Sequence, residues 1–296
     1  MDGVYSNMSM DDWKLEDITD NISSYGKTDI KYFKSHFNRF KYTINFSKDN
    51  ITNGCNILDI GCHWLHLSYL INYFNNSTQI YAIDNGITLA NKQVQNLAQN
   101  NNIKLIEINR LEIIKDIPEI PDNSIDIVYF CEILEHIAFN PISLWNLIYK
   151  KLKDGGVIII TTPNSSYHTT VLDNLINIQN GTTRPTISEI LKCGTLGHHW
   201  KLYSISEIKD YFNSMSSDFC IDSIYGISFN LDIKQEHTLF NTNINKINNL
   251  QFKQIYSDII NSLINNNLQP FDSTIIAKIV VNKKNGFCIS SPWQIH

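Results

Sequence analysis

Apolar and polar positions along the chain follow two different rhythms. Over residues 30–45 the large apolar side chains Tyr32, Phe33, Phe37, Phe40 and Ile44 recur at three- and four-residue spacing, which predicts an amphipathic helix. From Cys55 onward, short apolar runs alternate with amphipathic stretches. Residues 56–60, 79–84, 103–109, 125–130 and 157–161 read as strands, and 64–74, 89–98 and 142–152 as the helices between them. Such alternation implies a mostly parallel sheet with helices on both faces. In the 142–152 helix the periodicity turns Trp145, Ile142, Ile148 and Tyr149 toward that sheet. After Pro163 the rhythm lapses for about forty residues, longer than an ordinary connection, so 165–205 is expected to be an irregular insertion with a function of its own. A helix at 206–212, a strand at 219–228, a polar helical stretch at 245–264 and a last strand at 274–282 complete the reading. Two units follow: a helical lead-in over 1–54 and an α/β domain over 55–296.

Composition narrows the setting. With 296 residues, 43% apolar and 18% charged, the chain can bury a substantial core, and apart from excess Asn and Ile it is ordinarily globular. A net charge of −5 without a dense Lys/Arg cluster argues against a nucleic-acid partner. The six cysteines (Cys55, Cys62, Cys131, Cys193, Cys220 and Cys288) contain no C-x-x-C pair, which suits a reducing compartment. No basic-then-apolar leader and no apolar run of membrane-spanning length is present, so the cytoplasm is the expected location. Oligomeric state is not legible.

The chemistry sits at strand ends. The run Asn56-Ile-Leu-Asp59-Ile-Gly61-Cys62 is a strand that closes on an acid and a glycine and leads into a helix; in open α/β sheets ligands lie beyond such ends. A second strand ends in Asp84, 25 positions after Asp59, where a carboxylate can accept hydrogen bonds from both hydroxyls of a ribose. Helix capping by Asp59 and Asp84 is the alternative. A third segment runs through Cys131-Glu132-Ile-Leu-Glu135-His136, then a helix, then Gly155-Gly156 and an apolar strand ending in Thr162-Pro163-Asn164.

In this order and spacing the parts resemble class I S-adenosylmethionine-dependent methyltransferases, especially those acting on small molecules and sugars, over residues 55 to 164. The resemblance implies a Rossmann-like, seven-stranded sheet whose last strand is antiparallel, with S-adenosylmethionine as cofactor. It also implies that Gly61 and Cys62 run along the methionine part and that Asp84 binds the ribose; Asp59, His63 and Asn85 are further cofactor-binding candidates. Asn109, Arg110 and Leu111 would border the adenine, where the family more often has Asp, and Cys131 and Glu132 would lie beneath the sulfonium. Arg39 is a candidate for the cofactor carboxylate, because a guanidinium offers a paired fork to it. The lead-in and the insertion would cover the cofactor and the acceptor site.

One departure stands out: where the family's loop reads Gly-x-Gly-x-Gly, this chain has Gly61-Cys62-His63-Trp64-Leu65. Glycine tolerates positive φ and lets backbone approach a ligand, so His63 and Leu65 must reshape the loop or narrow the pocket. A fold that has lost its chemistry and acts as a scaffold or partner protein is the alternative this raises. A nicotinamide-dependent oxidoreductase is disfavoured by the absence of Gly-x-Gly-x-x-Gly.

If the acceptor is a hydroxyl, methyl transfer needs a base. His136 follows the fourth strand, and the insertion carries Gly197-His198-His199-Trp200, so His136, His199 and Glu132 are the catalytic candidates. For each histidine, packing or backbone bonding is the competing reading. His198 and His199 are adjacent rather than spaced as a zinc pair, and no metal is implied by the sequence. The expected partner is a small polar acceptor: a sugar or glycan precursor, or an amine- or phosphate-bearing metabolite.

Overall fold

Seven strands hydrogen-bond into one sheet in the order β3-β2-β1-β4-β5-β7-β6. They are β1 (Asn56–Ile60), β2 (Gln79–Asp84), β3 (Ile103–Glu107), β4 (Ile125–Cys131), β5 (Leu152–Pro163), β6 (Phe219–Ile227) and β7 (Thr274–Val281). β1 to β5 pair in parallel, and β7 runs antiparallel to both β5 and β6. The computed structural model describes residues 27–182, 198–229 and 233–287. Residues 1–26 of the lead-in, the centre of the expected insertion (183–197, with Cys193 and Gly197) and the last nine residues with Cys288 lie outside the described residues.

The parallel strands carry apolar residues in unbroken runs because both faces are covered. Ile57, Ile127, Tyr129, Val157 and Ile159 point to one face, and Leu58, Val128, Phe130, Ile158 and Ile160 to the other. On the first face lie α1 (Lys27–Ser47), α2 (His66–Phe74) and α4 (Lys92–Asn100), the last following a one-turn α3 (Gly86–Leu89). The aromatic stripe of α1 is what buries it: Phe33 and Ile44 have no exposed surface, and the Ser47 hydroxyl meets the Tyr129 hydroxyl at 2.6 Å. On the second face lie α5 (Ile142–Lys151) and α7 (Ile205–Met215), with Trp145 and Phe212 wholly buried. α7 starts on a capping box in which Ser204 and Glu207 exchange side-chain-to-backbone bonds.

The irregular insertion needs correcting, because residues 168–179 form a helix, α6 (His168–Gln179). Only His168 of that helix is buried, although Val171, Leu172, Leu175 and Ile176 recur along it at helical spacing. The polar helical stretch expected at 245–264 is α9 (Leu250–Asn265), capped by Asn249, whose side chain accepts from Phe252 N at 3.0 Å, and it is preceded by a helix not expected from the sequence, α8 (Ile233–Lys246). β5 begins before Gly155-Gly156, with a register irregularity against β4, rather than after a turn at that pair. Among the described residues no helix is long and apolar enough to cross a membrane.

The site's position follows from the strand order. The chain builds outward from β1 to β2 and β3, then returns to lay β4 on the other side of β1. The loops leaving β1 and β4 therefore diverge and open a crevice at the carboxyl edge.

Candidate active site

The turn after β1 is pinned to β2. Gly61 N and Cys62 N both donate to the Ile83 carbonyl, at 2.9 and 3.0 Å, and His63 N donates to an Asp84 carboxylate oxygen at 2.8 Å. Gly61 has φ +74°, and a Cβ there would collide with the Ile133 side chain, so glycine is required on both counts. His63 and Leu65 also have positive φ, 48° and 64°. The loop thus keeps left-handed backbone at all three positions where the resembled family has glycine. Leu65 is fully buried and turns into the core, whereas His63 faces the crevice, its ring 5.2 Å from that of Tyr32.

Beyond this loop lies a cleft of about 900 Å³, within the range of small-molecule and cofactor pockets. All fourteen site residues named from the sequence line it: Arg39, Asp59, Gly61, Cys62, His63, Asp84, Asn85, Asn109, Arg110, Leu111, Cys131, Glu132, His136 and His199. At one end Asp84 accepts from Asn85 N and from the Asn85 side chain, at 2.8 and 2.7 Å, and a carboxylate with these partners still has lone pairs to offer a ligand. Asn109 holds the neighbouring wall: its Oδ1 accepts from Gly86 N at 2.8 Å and its amide donates to Glu107 at 2.5 Å. Arg110 is turned to Glu112 at 2.7 Å, on the surface.

The floor is dry. Asp59 is buried and accepts a 2.6 Å hydrogen bond from Ser68; burial, reinforced by the charge of Asp84, nevertheless raises its carboxyl to about pKa 7. The thiols of Cys62 and Cys131 are pushed up by burial and then by Asp59, so both stay protonated. A neutral thiol is a poor nucleophile, which keeps these sulfurs from competing for an electrophilic ligand. Burial likewise lowers His66 to about 3, so its ring is neutral beneath Tyr32.

The far end is built by the loop after β4. Glu132 has φ +57°, and its carboxylate meets Arg39 of α1 at 3.0 Å; Arg39 also donates to the Tyr32 hydroxyl at 3.1 Å. Burial is the largest single effect and works against the Arg39 charge, but Glu132, Tyr32 and Cys131 together outweigh it and the guanidinium is held above its ordinary range. Glu135 is wholly buried; Thr162 donates to its Oε2 at 3.0 Å, while its Oε1 has no hydrogen-bond partner. Burial first, then the Glu132 charge, raises its carboxyl to about 8. His136 Nδ1 lies 2.9 Å from the His198 carbonyl oxygen. A carbonyl can only accept, so Nδ1 carries a proton, and in the neutral ring Nε2, 4.0 Å from Glu135 Oε1, is the bare nitrogen. The His199 ring packs edge-on against that of His136, centroids 4.8 Å apart.

Sequence reasoning missed Glu135, Tyr32, His36, Phe40 and His66 as lining residues. Glu135 stood in the Leu-Glu-His triplet, but nothing local marks it as inward-facing. Phe40 is visible in the α1 stripe only as core, and Tyr32 is visible both as core and as an aromatic able to stack on a ligand.

These features define an α/β cleft for an adenosine-type cofactor at a strand switch point, with an acid–histidine group at its far end. Residues 51–208 match the methyltransferase domain family, and the chain belongs to it: it is an S-adenosylmethionine-dependent methyltransferase. Among solved structures it is similar to an S-adenosylmethionine-dependent methyltransferase from Mesorhizobium loti, at 12% identity, over 80% of this chain and 97% of that one, with a TM-score of 0.50. It is also similar to a methyltransferase of the same dependence from Archaeoglobus fulgidus, at 17% identity over 85% and 99%, TM-score 0.44. A third is the phosphoethanolamine N-methyltransferase 2 of Haemonchus contortus in complex with phosphomonomethylethanolamine and S-adenosylhomocysteine, at 16% identity over 78% and 49%, TM-score 0.46. No curated protein sequence matches the chain.

The cleft fits the cofactor. The Cβ-free approach at Gly61, the left-handed loop and the Asp84 carboxylate supply close backbone contact and ribose acceptors.

Proposed function

We propose that this enzyme methylates a hydroxyl of a small polar acceptor, a sugar or glycan precursor ahead of an amine- or phosphate-bearing metabolite. The observation that carries this reading is the bare Nε2 of His136, facing Glu135 and His199 at the far end of the cleft. When bound, S-adenosylmethionine supplies an electrophilic methyl group, which passes to the acceptor oxygen as the S–C bond breaks and the C–O bond forms. Asp84 receives the ribose hydroxyls, with Asn85 beside it, and Asn109, Arg110 and Leu111 flank the adenine. Gly61, Cys62 and His63 follow the methionine chain, and Arg39 directs a remaining N–H toward its carboxylate. Cys131 and Glu132 lie below the sulfonium, and Asp59 is a further cofactor-side residue.

The acceptor hydroxyl must lose a proton, and the His136–His199 group takes it at an imidazole nitrogen; an amine acceptor would need no such base at neutral pH if it arrived unprotonated. Glu132 orients the acceptor. In this reading the described part of the lead-in, 27–54, covers the cofactor, and the described ends of the 165–205 insertion flank the acceptor, with His199 on that side.

Turnover of His199→Ala and His136→Ala on hydroxyl acceptors tests this. Each is expected to fall by about 10²-fold or more, with affinity for S-adenosylhomocysteine unchanged. Unaffected turnover in both would retire the group as the base.

A further inference from the structure

We infer that Glu135, His136 and His199 form a binding site for a divalent first-row transition cation at the acceptor end of the cleft. One ligand atom from each lies within 4.8 Å of the others. Ligands about 2.1 Å from one ion sit roughly 3 to 4 Å apart, so the widest pair needs to close by about 1 to 2 Å. His136 Nε2 and Glu135 Oε1, at 4.0 Å, already have that spacing.

Three further observations point to a cation rather than to packing. Glu135 is wholly buried, and its Oε1 has no hydrogen-bond partner, although the other oxygen is held by Thr162; a carboxylate oxygen left so in a dry site is costly, and a cation there removes the cost. Next, His136 has the second-sphere contact of a metal-bound imidazole, with Nδ1–H donated to the His198 carbonyl at 2.9 Å and Nε2 left for coordination. Finally, a second buried carboxylate oxygen, Glu132 Oε1, also lacks a partner on the same cleft wall, while Arg39, the facing cation, is taken up by the other Glu132 oxygen at 3.0 Å. His199 is the exposed member of the three, so the ion would have an entry path and coordination positions open toward the cleft.

Two imidazoles with one carboxylate and no thiolate select a zinc-, manganese-, iron- or cobalt-type ion over calcium or magnesium. Open positions suit an acceptor oxygen, whose proton a bound cation makes easier to release to water; while the ion is held, His136 and His199 are its ligands, and they act as the base only in the ion-free enzyme. The site is a property of these side chains and goes beyond the acceptor class proposed above.

The test is titration of untagged, chelator-stripped protein with Co²⁺, read by visible absorption, together with calorimetry with Zn²⁺ and Mn²⁺. One ion per chain is expected, with the spectrum of nitrogen and oxygen ligation and binding weakened at least about tenfold in His199→Ala and Glu135→Gln. His199 is exposed, so its variant keeps the fold, and calorimetric titration with S-adenosylhomocysteine checks this in the same sample. Absence of stoichiometric binding, a thiolate charge-transfer band, or affinity indifferent to His199→Ala would overturn the site. Cation binding without turnover on hydroxyl acceptors would leave the site standing and overturn the acceptor class instead.

Discussion

The backbone N–H of His63 donates to the carboxylate of Asp84 at 2.8 Å, tying the turn after β1 to the tip of β2. This bond needs the left-handed backbone that His63 adopts, with φ 48°. It holds the altered loop in the conformation that three glycines would otherwise make easy.

Two substitutions toward glycine separate backbone from side chain in that loop. At position 63 the side chain is exposed, so His63→Gly should relieve the left-handed strain and change unfolding free energy by less than about 1 kcal/mol. Leu65→Gly relieves a similar strain but empties a fully buried site, and should cost roughly 2–4 kcal/mol in denaturant titration. Equal effects at the two positions would refute the division of labour.

Stability should depend on pH through Asp59. Its carboxyl, raised to about 7 against an ordinary 3.8, keeps its proton in the native state while the unfolded chain has lost it. Between those values the native state binds more protons, so this group's contribution to stability is lost as pH rises. Asp59→Asn cannot titrate, and from pH 5 to pH 8 its stability relative to wild type should improve by roughly 2–3 kcal/mol, read from denaturant midpoints of the unliganded proteins. A pH-independent difference would show that Asp59 is ionised in the fold.

Arg39 and Glu132 should behave as a unit. Arg39→Ala leaves a largely buried carboxylate without its 3.0 Å partner and should destabilise by about 1–3 kcal/mol; adding Glu132→Gln should restore part of the loss. Simple additivity in this double-mutant cycle would mean the two side chains do not interact.

How much of this the sequence showed depends on range. The strand ends at Asp59, Asp84 and Cys131 are local features, and the structure brings them to one cleft. The α1 stripe is equally local, and it packs as its spacing requires. The left-handed backbone at His63 and Leu65 is not legible, because side-chain identity argues against it and only the bonds to β2 impose it. The grouping of Glu135 with His136 and His199 joins residues more than sixty positions apart, and spacing that excludes a zinc pair within one helix is silent about such a group. α6 was legible too, in the helical spacing of Val171, Leu172, Leu175 and Ile176, but the lapse in strand–helix alternation after Pro163 hides it.

The central claim is that the altered loop and Asp84 still form a cofactor site, and calorimetric titration of the protein with S-adenosylmethionine and S-adenosylhomocysteine tests it most directly. Micromolar binding is predicted for wild type, weakened about tenfold or more in Asp84→Ala with the fold retained. A folded wild-type protein that binds neither compound at millimolar concentration would contradict the account.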